Sequence, residues 1–386
     1  MNALDLLFEL GEACLQSPKI YLQPGHNGPY HHPETPLRNQ GHWLITFSRL
    51  YEWSGEEKYR QMVEKLAETL VDPQYRPHGY SFLHRNVRGK DHCNGLMGQA
   101  WTIEALATAA AVLNEPKYIK LASEVFLQHP FDESLGLWNV LEIDGTAKAV
   151  DNAFNHQLWF AAAASFIMDS DPLIAERIHI FLEKMWDNVT VLDNGLIYHE
   201  LESIAEDKFE TVVVSSNFIN IRQAASVLLQ KLGLKQKPLS PEKRKELQWE
   251  KMLKKSIGYH SFNTYAFGLL KNNIPEHPIW NYPKLRKIIS YLSTKEYSSG
   301  IENNRYSYSY NPPGFEIPFS LAAFEDDEEG NTQCAQLFLQ QQLDFCYNHK
   351  SKLMDRNNED PFTLTARAYE ISRLDSKFLE KITIDI

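Results

Sequence analysis

One recurring pattern constrains the fold of this chain more than any other feature. A polar loop rich in Asn, His, Asp, Gly or Pro runs into an apolar helix of small residues, and a shorter, more charged helix follows. The junctions read ETPLRNQGHWLITF from Glu34, DHCNGLMGQAWTIEAL from Asp91, DNAFNHQLWFAAAAS from Asp151, SSNFINIRQAAS from Ser215, YHSFNTYAFGLL from Tyr259, NPPGFEIPFSLAAF from Asn311 and NNEDPFTLTARAYE from Asn357. They recur at roughly 40 to 60 residues, the length of one helix hairpin plus a loop. A helix that is apolar on every side must be surrounded by others, whereas one with a charged face, such as EEKYRQMVEKLAETLV, borders solvent. Alternating the two types predicts slim inner helices sheathed by outer ones. The expected fold is therefore all-α: an (α/α)6 toroid of helical hairpins, with a seventh hairpin left open, as one domain over residues 1–386. A stacked solenoid shares this rhythm. The toroid differs because its junction loops converge on one central cavity.

Strand-like alternation is scarce. It predicts a hairpin over 137–150 and a short strand in GLIYHE, from Gly195. Helical spacing covers 2–16, where Asp5, Glu9 and Glu12 exclude a signal peptide and give an amphipathic helix, so the expected location is cytoplasmic. It also covers 217–232, and the basic run 235–255 reads as a solvated outer helix.

Charge narrows the class of partner. A net charge of −11 and a pI near 5.7 disfavour nucleic acid and anionic membrane, both of which need a basic face. No stretch reads as the roughly 18 apolar residues of a membrane span. The four cysteines (Cys14, Cys93, Cys334 and Cys346) are widely spaced, as reduced thiols are. His26, His31 and His32 lack the spacing of a metal set, and no phosphate-binding glycine loop, dinucleotide fingerprint or HExxH occurs, so no metal or cofactor is expected. A sugar or oligosaccharide is the expected partner, with monomer or homodimer left open.

The chemistry concentrates at the junctions, where helix N-termini offer free N–H groups to hydroxyls and anions. Asp91 opens one inner helix beside His92, and Asp151 opens another with Asn152, His156 and Trp159 within two turns. Two carboxylates in one cavity can divide acid and base roles, because burial and mutual repulsion separate their pKa values. Either aspartate could equally serve as an ordinary helix cap. Glu316 sits at an apolar helix start, where a buried carboxylate needs a partner or a use. Arg305 lies in YSSGIENNRYSYSYNPPGF, a stretch whose aromatic rings and amides suit sugars. The stretch GHNGPYHHPETPLRNQGHW, Gly25 to Trp43, reads as a substrate-facing rim with His31, His32, Arg38 and His42, in which Thr35 caps a helix that begins at Pro36.

These residues carry a resemblance. Asp91-His92-Cys93-Asn94-Gly95-Leu96-Met97-Gly98 resembles the Asp-x-Cys-Gly-x-Met-Gly helix start of the unsaturated glucuronyl and rhamnogalacturonyl hydrolases, with one extra residue at Asn94. Val150-Asp151-Asn152-Ala153-Phe154-Asn155 resembles their second Asp-bearing helix start. The resemblance implies a six-hairpin (α/α) barrel glycoside hydrolase acting on a uronic-acid-containing glycan. It gives Asp151 the role of general acid and base, and Asp91 the supporting one. The Gly25–Trp43 stretch departs from that family and is similar to barrel proteins encoded beside glycan-assembly genes. Two further readings compete. One is a sugar epimerase of the acylglucosamine 2-epimerase type, with His92 and His156 as paired bases. The other is a non-catalytic glycan-binding barrel. A lanthionine-cyclase toroid lacks its Cys-Cys-His zinc set here.

Overall fold

The structure, a computed structural model, describes residues 1–201 and 240–385. In chain order the main helices are α1 (Ala3–Gln16), α2 (Leu37–Ser54), α3 (Glu57–Leu70), α4 (Gly95–Leu113), α5 (Pro116–Gln128), α6 (Phe154–Ala164), α7 (Pro172–Asn188), α8 (Pro241–Gly258), α9 (His260–Asn273), α10 (Pro283–Tyr291), α11 (Pro313–Phe324), α12 (Glu328–Cys346) and α13 (Pro361–Ala366). Helices α2, α4, α6, α9 and α11 each pack on the next. The turns Arg367–Tyr369 and Ile371–Arg373, which continue α13, pack on both α11 and α2 and close the ring. Six inner segments thus form a closed (α/α)6 toroid among the described residues. The junction from Ser215 and the helix expected over 217–232 lie outside the described residues.

Composition sorts the helices into layers. Helix α4 carries alanine and glycine through an apolar sequence and is buried on nearly every side. Helix α3 buries Tyr59, Met62, Val63, Leu66, Ala67 and Leu70, three and four residues apart, and turns its Glu and Lys residues outward. Helix α1 starts with a reciprocal cap: Asn2 Oδ1 accepts from the Asp5 N–H at 2.8 Å, and Asp5 accepts from the Asn2 N–H at 3.1 Å. The termini meet, with Asn2 bridged to Thr383.

Four expectations change. Helix α4 does have the length and apolarity of a membrane span, although it is 83% buried inside the barrel. Its composition follows from its inner position, where it touches neighbours all round. The cap at the start of α2 also differs: Thr35 donates its hydroxyl to the Leu83 carbonyl at 2.8 Å, and α2 begins at Leu37 with no side-chain cap. The GLIYHE stretch forms isolated bridges, Val191 to Ile197 and Ala153 to Glu200, rather than a strand. The hairpin over 137–150 forms but gains a third strand. β1 (Phe131–Asp132), β2 (Leu137–Leu141) and β3 (Ala147–Val150) pair antiparallel in that order.

That small sheet positions the site. β3 ends at Val150, so the next residue, Asp151, leaves an ordered strand. Gln157 on α6 then clamps the hairpin. Its amide donates to the carbonyls of Trp138 (2.8 Å) and Asp151 (2.9 Å) and accepts from the Trp138 N–H (2.9 Å). Gln99 on α4 repeats the device. It accepts from the Phe82 N–H at 2.7 Å and donates to the carbonyls of Phe82 and Cys93. Helices α4 and α6 thus each fix their own incoming loop with a buried amide.

Candidate active site

The junction loops converge on a cavity of about 400 Å³ at one end of the ring. Its wall includes Asn27, His32 and Arg38 from the first junction, Arg85 to Trp101 from the second, Asp151 to His156 from the third, and Tyr259, Tyr310 and Arg367 from the later ones. This convergence separates the toroid from a solenoid.

Both aspartates meet the start of α4. Asp91 Oδ1 accepts from the Gly95 N–H at 2.7 Å, and Asp151 Oδ2 accepts from the next N–H, Leu96, at 3.2 Å. The carboxylates therefore sit on adjacent donors of one helix N-terminus, where negative charge is favoured. Asp91 also pairs with Arg85 and accepts from the Cys93 thiol at 3.3 Å. Asp151 binds His156 Nδ1 at 2.7 Å and accepts from the Ala153 N–H at 3.3 Å. Burial pushes both carboxyls up. At Asp91 the Arg85 guanidinium and the Gly95 N–H outweigh it, and at Asp151 the His156 ring and the two N–H groups do so. Both acids are held below the ordinary carboxylate range. They are ionised at neutral pH and have no proton to give.

The Asp151 contact orients His156. With Nδ1 engaged, Nε2 is left for the cavity. A second histidine, His199, lines the same cavity with its Nδ1 buried and unpartnered. Burial, with the charges of Lys255 and His156 adding to it, holds His199 well below its usual pKa, so it is a neutral imidazole. Its ring leans on Tyr259 at 4.6 Å between centroids. Tyr259 belongs to a chain of neutral phenols. The Tyr30 and Tyr259 hydroxyls are 2.9 Å apart, Tyr259 donates to Tyr310 at 3.3 Å, and Tyr310 donates to Asn27 Oδ1 at 2.7 Å. Two histidines of different character, one carboxylate-paired and one desolvated, therefore share a wall of aromatic rings and hydroxyls.

Archaeal glycosylation protein Q of Haloferax volcanii is 37% identical over 374 residues, covering 96% of this chain and 97% of that protein. The chain belongs to the archaeal glycosylation protein Q family. No family model matches it. Among solved structures, cellobiose 2-epimerase from Bacillus thermoamylovorans superposes with a TM-score of 0.59 at 10% identity, over 95% of this chain and 98% of its own. The GH76A alpha-1,6-mannanase from Salegentibacter sp. gives 0.53 at 11% identity, over 99% of each chain. D-mannose isomerase gives 0.53 at 12% identity, over 95% of this chain and 96% of its own. At such identities the likeness shows a common fold, the six-hairpin (α/α) barrel.

Within that fold the expected site residues divide. The cavity brings together Asp91, Asp151, Asn152, His156, His32 and Arg38. Six others lie elsewhere. Trp159 is fully buried between inner helices, stacked on Phe262 at 4.4 Å and donating to its carbonyl. His42 is buried against Tyr369 at 4.2 Å. Glu316 is buried behind the wall, paired with Arg367 and accepting from Ser261 at 2.5 Å. His31 is exposed and pairs with Glu359 at 2.9 Å. His92 is not part of the cavity wall and lies near Glu142 at 3.6 Å. Arg305 holds the Pro29 carbonyl beside a separate outer cavity of about 500 Å³ that also contains Tyr308 and Phe345. Among the wall residues the sequence did not flag are Arg85, Lys90, His199, Lys255, Tyr259, Tyr310 and Arg367. Tyr259, Tyr310 and Arg367 carried a signal, since each stands in or beside one of the junctions.

Gly95 is the point where the two aspartate loops touch. Its φ of +59° is a left-handed conformation, and a Cβ there would stand 2.5 Å from Asp151 Oδ2 and 2.9 Å from His156 Nδ1. Gly95→Ala is expected to lower stability by about 1–2 kcal/mol and turnover by at least about tenfold, because the pair must separate to admit the methyl group. Thermal melting and kcat measured together check both halves.

Proposed function

We propose that this protein is a carbohydrate-active enzyme that moves a proton on a uronic-acid-containing or related sugar in glycan assembly. The single observation behind this reading is the histidine pair. His199, neutral by desolvation, is suited to take a proton from a sugar carbon activated by an adjacent carbonyl. His156, its Nδ1 held by Asp151, is suited to return a proton through Nε2 when the ring carries both protons. The tyrosine chain on the wall supplies hydroxyl partners for the sugar. Membership in the glycosylation protein Q family supports a carbohydrate substrate. The pairing differs from the one expected from sequence, with His199 in place of His92.

A second reading, glycoside hydrolysis by Asp91 and Asp151, keeps one specific support: the two carboxylates occupy adjacent N–H groups of α4. It ranks second because hydrolysis needs one of them protonated.

Incubation with candidate sugars in heavy water tests the choice. Proton transfer puts deuterium on carbon without raising the number of reducing ends. Hydrolysis raises the reducing ends, which would overturn the first reading. Binding of a sugar with neither change would make the barrel a binding module.

A further inference from the structure

We infer that the cavity contains an anion subsite formed by Lys255 and Lys90, and that a phosphate group carried by the sugar occupies it. This rests on the reading that the cavity takes a sugar, and it adds the class of that sugar.

The inference starts from charge pairing on the wall. Arg38 faces Glu34 at 3.5 Å, Arg85 pairs with Asp91, Arg367 pairs with Glu316 and Glu370, and His156 pairs with Asp151. Among the described residues, Lys255 and Lys90 form no ion pair. Lys255 rises from the last turn of α8, with Nζ 5.6 Å from the ring centroids of both Tyr30 and Tyr259. Its ammonium is therefore held against the cavity wall and not extended into water. Of the charged groups that act on it, Glu200 attracts while Lys251 and Lys90 repel. A largely desolvated ammonium that two other ammonium groups repel and one carboxylate attracts is favoured by a ligand that brings further negative charge. This excess of positive charge occurs in a chain of net −11, so it is local to the cavity. His32 adds a ring nitrogen, Nδ1, that is buried without a partner on the same wall.

The form of the subsite selects the anion. Arginine forks match planar carboxylates in bidentate fashion; Arg85 and Arg367 are closely paired with protein carboxylates, whereas Arg38 meets Glu34 only at 3.5 Å and keeps a buried Nε without a partner. Beside it, Lys255 and Lys90 are two point charges that repel one another. One carboxylate charge neutralises one of them, whereas a phosphate ester brings about −1.5 to −2 at neutral pH and three acceptor oxygens. The shared chemistry is a phosphate joined to the sugar, either as a monoester or within a diphosphate link to a carrier or nucleotide.

Calorimetric titration of the full-length protein at low salt tests this, using inorganic phosphate, glucose 1-phosphate, UDP-glucose and glucuronate. Phosphate-bearing probes are expected to bind. Lys255→Gln should weaken them at least tenfold and Lys90→Gln about threefold. Lys254→Gln, one residue away on the exposed side, should leave binding unchanged. Desolvation and the neighbouring lysines pull Lys255 down to about 8. Phosphate affinity of the wild type should therefore fall as pH rises through that value, and that of Lys255→Gln should not. Tighter binding of glucose 1-phosphate supports the monoester, and tighter binding of UDP-glucose the diphosphate. Phosphate binding that ignores both lysine substitutions overturns the subsite. So does glucuronate binding that depends on the lysines while phosphate fails to bind. Neither failure touches the deuterium experiment, which reads the histidine chemistry independently.

Discussion

Asp151→Asn is expected to lower kcat by two to four orders of magnitude and to leave the protein folded. The range is that of a positioned acid–base group whose proton is misplaced. Asp151 accepts from His156 Nδ1 at 2.7 Å, which places the proton on Nδ1 and, on the proposed reading, leaves Nε2 to exchange one with the substrate. An asparagine amide can donate to Nδ1 instead. The ring then carries its proton on Nε2, and its conjugate acid loses the adjacent negative charge. His156→Gln should cost a similar factor, and the double variant little more than either alone, because the two act as one unit. Equal losses that simply multiply would show that the pair works separately. A pH series adds a sign. The Asp151 carboxyl is depressed in the folded state, so its contribution to stability is present above the unfolded pKa and lost as pH falls through the folded one. The stability difference between wild type and Asp151→Asn should shrink on acidification.

The same residues show what a sequence can carry. The helix rhythm was legible because inner and outer helices have opposite surface requirements, and that difference appears in composition. Asp91 and Asp151 were legible because a polar residue at the start of an apolar helix must either cap it or face the cavity. Here Asp91 meets the first N–H of its own helix, whereas Asp151 leaves α6 uncapped and meets the N-terminus of α4, and both line the cavity. Trp159, His42 and Glu316 illustrate the limit. Periodicity places them on faces of inner helices, but a helix that is apolar all round has no dominant direction, so spacing does not tell the cavity side from the side packed on a neighbour. His199 and Lys255 were illegible for another reason. One follows a bridge and the other ends an outer helix, and the ring brings them to the wall only when it closes. The buried amides Gln99 and Gln157 have no composition signal, yet they set the aspartate loops.

Arg367→Met is expected to lower stability by about 3–5 kcal/mol, the range for removing one partner of a buried ion pair. Arg367 is fully buried. Its Nε donates to Glu370 at 2.9 Å, Nη2 pairs with both Glu316 and Glu370, and Nη1 reaches the Tyr310 carbonyl at 3.3 Å. Its guanidinium also covers the Phe262 ring at 4.9 Å. Burial pushes both glutamates upward by more than the single arginine pulls them down, so the triad of one cation and two acids retains a proton. Methionine fills most of the volume but leaves two buried carboxyls without a cation. They can respond only by binding protons. A carboxyl with a raised folded pKa gives stability that is present below the unfolded pKa and lost as pH rises through the folded one. The deficit of Arg367→Met should therefore be larger at pH 8 than at pH 5.5, as read by thermal or urea unfolding. Adding Glu316→Gln and Glu370→Gln removes the stranded acids and should recover part of the loss. A deficit under about 1 kcal/mol, or one that does not change with pH, would mean that the triad contributes packing rather than charge. Because Tyr310 and Asn311 stand on the cavity wall and are held by this arginine, the variant should also weaken sugar binding before it unfolds. The buried glutamate that looked like a substrate contact in the sequence would then act one layer out, by holding the arginine that holds the wall.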